Sequence, residues 1–187
     1  MSLILFNKPA QVMCQFSAHP TRPTLSDYLT LPDIYPAGRL DADSEGLLLL
    51  TDDGKLQHII SHPDHKQIKT YLAQVEGTPD KKTLQTLREP LDLGDFVTQQ
   101  CDVKQIYEPD WLWPRTPPIR TRQATPTSWL AISLSEGKNR QVRRMTGAVK
   151  LPTLRLIRIS IGAISLQTHP LLPGEWMEIS ARELGLR

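Results

Sequence analysis

The sequence predicts an α+β protein with a mixed, mainly antiparallel central sheet flanked by helices. Strand-like apolar runs outnumber helical patterns. They follow one another through short links instead of alternating with helices, which argues against a doubly wound parallel sheet. Glycine and proline punctuate the runs closely enough to mark most element ends. In order, Leu3 to Phe6 reads as the first strand, and Thr24 to Leu31 as a short helix with Ser26 and Asp27 near its start. Ile34 to Ala37 leads into a polar turn. Gly46 to Leu50, with four consecutive leucines, has the pattern of a fully buried strand. Lys55 to Ile60 suits a short helix, ended by Ser61-His62-Pro63. Lys69 to Val75 alternates with period two. Thr78-Pro79-Asp80 resembles a helix start, with Leu84 and Leu87 on one face. Gln100 to Tyr107 is a further strand. Glu108 to Thr127 holds Pro109, Pro114, Pro117, Pro118 and Pro126, which predicts a long surface loop. Trp129 to Leu134 is a strand, and Arg140 to Val149 a helix with Asn139 as its expected N-cap. Leu154 to Ile161 and Trp176 to Ile179 close the sheet. No internal repeat is visible.

Composition narrows the class of protein. The 187 residues make one domain over 1–187 or two small lobes, and 39% are hydrophobic. No apolar run approaches the roughly 20 residues that span a bilayer. Leu3 to Phe6 is too short for a signal-peptide core and lacks a charged lead-in. Cys14 and Cys101 belong to no metal-type pair, so a reduced cytoplasmic setting is expected, with both as small core residues. The predicted state is a monomer.

The net charge of +2 is unevenly placed. From Trp111 to Arg158 the chain carries ten Lys and Arg against a single acid, Glu136, so this stretch is +9 and the remainder −7. A surface that only needs to stay dissolved mixes both signs, whereas a polyanion-binding face separates them.

The richest chemistry lies at Gly38-Arg39-Leu40-Asp41-Ala42-Asp43-Ser44-Glu45-Gly46. Three acids and an arginine share one short turn, directly before the leucine strand. A polar turn fixed to a rigid strand is a good mount for a reactive group. An aspartate that caps its own turn gives the same local pattern. Two further blocks bear on the choice. Lys69-Thr70-Tyr71 precedes Val75-Glu76-Gly77, and Glu136-Gly137-Lys138-Asn139-Arg140-Gln141-Val142-Arg143-Arg144-Met145 is strongly basic. These three blocks, in this order, resemble the catalytic, tyrosine and basic segments of ribosomal RNA pseudouridine synthases, in the branch named after RsuA. Trp111 to Arg115 and the chain's start look closest to members that modify large-subunit RNA.

The resemblance implies the pseudouridine synthase fold, with an active site in a cleft across the sheet. It implies isomerisation of uridine: the N1–C1′ bond breaks, the base turns, and a C5–C1′ bond forms. No electrons move between molecules, so neither cofactor nor metal is expected. The essential aspartate is carried onto Asp41. It attacks C1′ or takes a proton from C2′, and both roles stay open. A carboxylate in a closed, dry site needs a nearby cation. The family pattern makes that cation Arg143, so an Asp41–Arg143 ion pair is expected. Tyr71 carries over as the tyrosine that stacks on the uracil. Arg39 is placed to fill the gap left by the extruded base or to touch a phosphate. Arg140 and Arg144, four apart on one helix face, are expected to meet phosphates, with Lys69 and Lys138 beside them. Trp111, Trp113 and Arg115 are expected either to stack on unpaired bases or to anchor the loop. Ile164, or a neighbour such as Ile161, is expected under the uracil, with core packing as the other reading. The opening strand matches the start of the family's catalytic domain, so no N-terminal accessory RNA-binding domain is expected. The expected partner is large-subunit ribosomal RNA.

Two other constellations carry chemistry of their own. His58, His62 and His65 have spacings open to a metal, but Pro63 interrupts the helix that would align them. Asp41 with Asp43, or Asp52 with Asp53, can be read as a glycosidase pair. A non-catalytic RNA-binding module is the rival class.

Overall fold

The computed structural model describes residues 2–65, 67–119 and 124–185. Arg120 and Arg122, counted in the basic stretch, lie outside the described residues. The strands are β1 Leu3–Lys8, β2 Tyr35–Pro36, β3 Glu45–Thr51, β4 Lys69–Glu76, β5 Asp102–Ile106, β6 Thr127–Leu134, β7 Thr153–Ile161, β8 Ile164–Ser165 and β9 Trp176–Ile179. The helices are α1 Gly54–Ser61, α2 Lys81–Arg88 and α3 Gln141–Ala148. The architecture is α+β, with one mixed sheet ordered β5-β6-β4-β7-β3-β1-β9, β2 resting on β3 and β8 on β7. Among the described residues, no helix is long and apolar enough to cross a membrane.

Every strand pairing is antiparallel except β3 with β7. That parallel contact is short, with Glu45 opposite Ile157 and Gly46 opposite Arg158. The sheet is therefore two antiparallel halves joined at a narrow seam. Gly46 makes the seam possible. Its φ is +103°, and an added Cβ would lie 2.3 Å from the Arg158 carbonyl oxygen.

Alternation along the strands divides the core. Leu3, Leu5, Leu47, Leu49, Leu72, Ile157 and Ile159 point to one face, where Leu56 and Ile60 of α1, Trp113 and Ile164 cover them. The opposite face carries two separate clusters. Ala73, Val75, Leu130, Ile132 and Leu156 pack under Leu87 of α2 and Val142 and Met145 of α3. Ile4, Phe6, Leu48 and Leu50 pack under Leu25, Leu29 and Ile34. Between these two covers the seam is left open, and that gap is the cleft.

Two expected elements take another form. Thr24 to Leu31 contains only a 3₁₀ turn, Leu25–Asp27. Pro23 and Pro32 leave too few residues for a nucleated α-helix, and the Asp27 carboxylate is held by the Thr24 backbone N–H at 2.7 Å. At α3 the N-cap is Arg140 and not Asn139, and it is left-handed with φ +49°. The entry is turned by Gln141, whose Oε1 accepts from the Lys138 N–H at 3.0 Å and whose Nε2 donates to buried Glu136 at 2.6 Å.

Candidate active site

The turn after Ala37 runs from Gly38, at φ +84°, to β3. It is held from below. Lys8, with no exposed surface, donates from Nζ to the carbonyls of Pro9 (2.9 Å), Val12 (2.8 Å) and Ala42 (3.4 Å). Burial pulls the Lys8 pKa down to about 8, against the charges of Cys14, Glu45, Asp43 and Asp41. The Gln11 N–H donates to the Ala42 carbonyl.

Asp41 opens into a cleft of about 310 Å³. Tyr71, from β4, lines the same cleft. Leu40, Leu134, Val142 and Leu156 supply apolar surface, and Arg39, Lys138 and Arg140 lie at the rim. The volume is at the low end for ligand clefts, about 300–1,000 Å³. An apolar floor beside a carboxylate, a phenol and cations suits a flat polar ring joined to an anionic chain.

The expected Asp41–Arg143 ion pair is corrected. Asp41 Oδ2 is paired with Arg140 Nη1 at 3.2 Å, and the same guanidinium spans both oxygens of Asp43 at 3.2 Å. Arg143 pairs with Asp43 at 3.5 Å and donates to the Asp43 carbonyl (3.2 Å), Ser44 Oγ (3.4 Å) and the Thr153 carbonyl (3.3 Å). The left-handed start of α3 swings Arg140 over the turn, while Arg143, one turn on, reaches beneath it. Nor is the acid enclosed: the Asp41 side chain is 36% exposed. Partial burial acts to raise the Asp43 pKa, but hydrogen bonds from Arg140 and the charges of Arg143 and Arg140 hold it below the usual carboxylate range. Burial lowers the Arg143 pKa, with Asp43 acting against it.

Other expected binding residues are committed elsewhere. Arg144 pairs with Asp95 and lies 4.9 Å from the Phe96 ring centroid. Trp113 is 7% exposed and donates from its indole to Glu45 at 3.0 Å. Arg115 lies 3.4 Å from the same carboxylate. Trp113 thus anchors the loop on the face opposite the cleft, while Trp111, the other tryptophan of the loop, is 40% exposed. Ile164 is wholly buried in that back-face core, so it is not the wall under a base. Lys69 lies on the Tyr71 side of β4; burial, then Arg158, lowers its pKa. Cys14 and Cys101 are half-buried and unpaired with each other.

The sequence reading missed Glu45, which is 2% exposed and chelated by Arg155 through Nε (3.0 Å) and Nη2 (3.0 Å). Its one signal was position: an acid opening a buried strand requires a partner. The cleft-lining leucines carried no signal beyond apolarity. The rings of His58 and His62 approach to 4.5 Å between centroids. Among the described residues, no group of three metal-type side chains is placed to hold an ion.

A search of solved structures gives a pseudouridylate synthase crystal structure at TM-score 0.78 and 27% identity, covering 98% of this chain and 72% of that one. Human RNA pseudouridylate synthase domain containing 1 shares the fold at TM-score 0.58 and 12% identity, over 95% of this chain and 78% of that one. The fold is that of the pseudouridylate synthases. Residues 2–148 match the family profile described as RNA pseudouridylate synthase. Ribosomal large subunit pseudouridine synthase E of Xanthomonas campestris is 52% identical over 182 residues, 96% of each chain. The protein of the same description from Vibrio vulnificus is 50% identical over 178 residues, 95% of this chain and 75% of that one. The chain belongs to the RNA pseudouridylate synthase family, and is an enzyme of the isomerase class.

Proposed function

We propose that the protein converts a uridine of large-subunit ribosomal RNA, in the cytoplasm, to pseudouridine, with Asp41 as the acting carboxylate. The names of its half-identical relatives support the substrate. The observation that carries the residue assignment is the shared cleft: Asp41 and Tyr71 face one small cavity with an apolar floor. An extruded uracil lies on that floor beside Tyr71, with its ribose at Asp41. Arg140 fixes the Asp41 rotamer through Oδ2, leaving the other oxygen for C1′ or for the C2′ proton. Once the glycosidic bond breaks, the base turns in place, C5 bonds to C1′, and the C5 proton leaves to solvent. Every atom of the RNA except that exchanged proton is retained.

The test uses ribosomal RNA transcripts tritiated at uridine C5. The parent protein releases tritium to water with no change in RNA mass. Asp41→Asn binds the RNA and releases none. Full release by Asp41→Asn overturns the assignment. Free base would mean a hydrolase, and binding without release a non-catalytic module.

A further inference from the structure

A second cleft, of about 500 Å³, opens beside the first and shares Arg39, Leu40, Asp41 and Arg140 with it. Its far wall comes from a segment that the catalytic reading does not use, including Gln11, Cys14, Gln15 and Arg22. We infer that this cleft is a subsite for an RNA nucleotide next to the target uridine, held by Arg22 and Arg39 at its phosphate and by Gln11 and Gln15 at its base. This rests on the reading of the first cleft as the uridine site.

Both clefts meet at Asp41, so a strand whose uridine ribose sits at Asp41 continues directly into the second. Arg115, Arg140, Arg143, Arg144 and Arg155 are each held by a carboxylate. Arg22 and Arg39 are exposed, and among the described residues neither is in an ion pair. Of these two, Arg39 lines both clefts and Arg22 lines the second alone. Positive charge extends below the surface: burial raises the Cys14 thiol pKa, while Lys8, Arg158 and Arg39 are close enough to act against it. Arg158 is 2% exposed, and its Nη2 has no hydrogen-bond partner. The wall is also rigid. Lys8 and the Gln11 N–H tie this wall to the catalytic turn through the Ala42 carbonyl. The Gln15 carbonyl accepts from the Leu25 N–H at 2.9 Å, and its side-chain amide donates to Ser17 at 3.0 Å. That leaves the Gln15 Oε1 to accept from a base edge, the kind of polar contact by which unpaired RNA is read.

Two measurements on the full chain test the subsite. Cys14 lines this cleft. In Cys101→Ser protein at mildly alkaline pH, where the raised Cys14 thiol begins to ionise, large-subunit ribosomal RNA transcript should slow N-ethylmaleimide labelling relative to the RNA-free protein. In the tritium assay, Arg22→Ala should raise KM roughly tenfold, leave the saturating single-turnover rate unchanged, and reduce the salt dependence of binding by about one phosphate contact. Arg22→Lys should restore most of the KM. Bound RNA that leaves Cys14 open to the reagent, or an unchanged salt slope in Arg22→Ala, overturns the proposal. A parent that protects Cys14 yet releases no tritium removes the catalytic reading, and with it the assignment of the bound nucleotide as the neighbour of a target uridine, while RNA binding in the cleft stands.

Discussion

At the scale of single residues, two arginines of one helix end have different work. Arg140 reaches Asp41 and Asp43 across open solvent, with its side chain 45% exposed. Exposed pairs contribute little, so Arg140→Ala should cost about 1 kcal/mol or less in urea unfolding, while tritium release falls because Asp41 loses its only described ion-pair partner. Arg143 is 12% exposed and serves two backbone carbonyls and a hydroxyl. Arg143→Ala leaves those carbonyls short of a donor and should cost about 2–3 kcal/mol. Equal stability losses in the two variants would contradict this division. Asp43 gives a pH test. Its folded pKa lies below the ordinary 3.8. The stability it contributes is thus complete above about pH 4 and is lost as pH falls below that value toward the folded pKa. Asp43→Asn should flatten that acid limb of the stability profile.

At the scale of elements, the seam between β3 and β7 is the informative contact. Two residue pairs of parallel ladder are too few to join the halves unaided. Glu45 and Arg155 cross the seam as a buried bidentate pair, and Trp113 and Arg115 close it from the proline-rich loop. Removing one member strands a charge in a low-dielectric site. Arg155→Ala should cost about 3–5 kcal/mol by chemical denaturation. Arg155→Met with Glu45→Leu should recover only part of the loss, because Glu45→Leu takes the carboxylate from the Trp113 indole and from Arg115 as well. Full recovery in the double variant would contradict the part given to Trp113 and Arg115. Through Trp113 and Arg115 the described part of the loop acts as a structural clasp on the back of the sheet, the anchoring alternative of the two that the sequence leaves open.

At the scale of the whole molecule, one face of the sheet carries a single apolar core and the other has two covers with a gap between them. The gap holds Asp41, Tyr71 and the free cations, while much of the +9 stretch is neutralised by acids folded against it. RNA binding should therefore depend on salt less than the sequence count suggests. With contacts at Arg22, Arg39, Lys69 and Lys138, the slope of log affinity against log salt should be about −3, at about −0.7 per single-strand phosphate. If all nine net charges met phosphate, it would be near −6. Filter binding across a salt series separates the two.

Pattern and local chemistry alone determined the α+β class and nearly all the strands, because period-two alternation and Gly/Pro stops are local signals. They also marked the turn around Asp41 and the Tyr71 strand, since a polar turn on a buried strand is legible in one stretch of chain. Which arginine meets which acid was decided only in three dimensions. Arg140, Arg143, Arg144 and Arg155 look alike in sequence, and each partner lies about 50 to 110 residues away. The left-handed backbone of Arg140, the close approach at Gly46 and the fate of Trp113 likewise depend on contacts between distant strands. Local sequence sets what each segment prefers; which charges end up paired is set by how the two halves of the sheet come together.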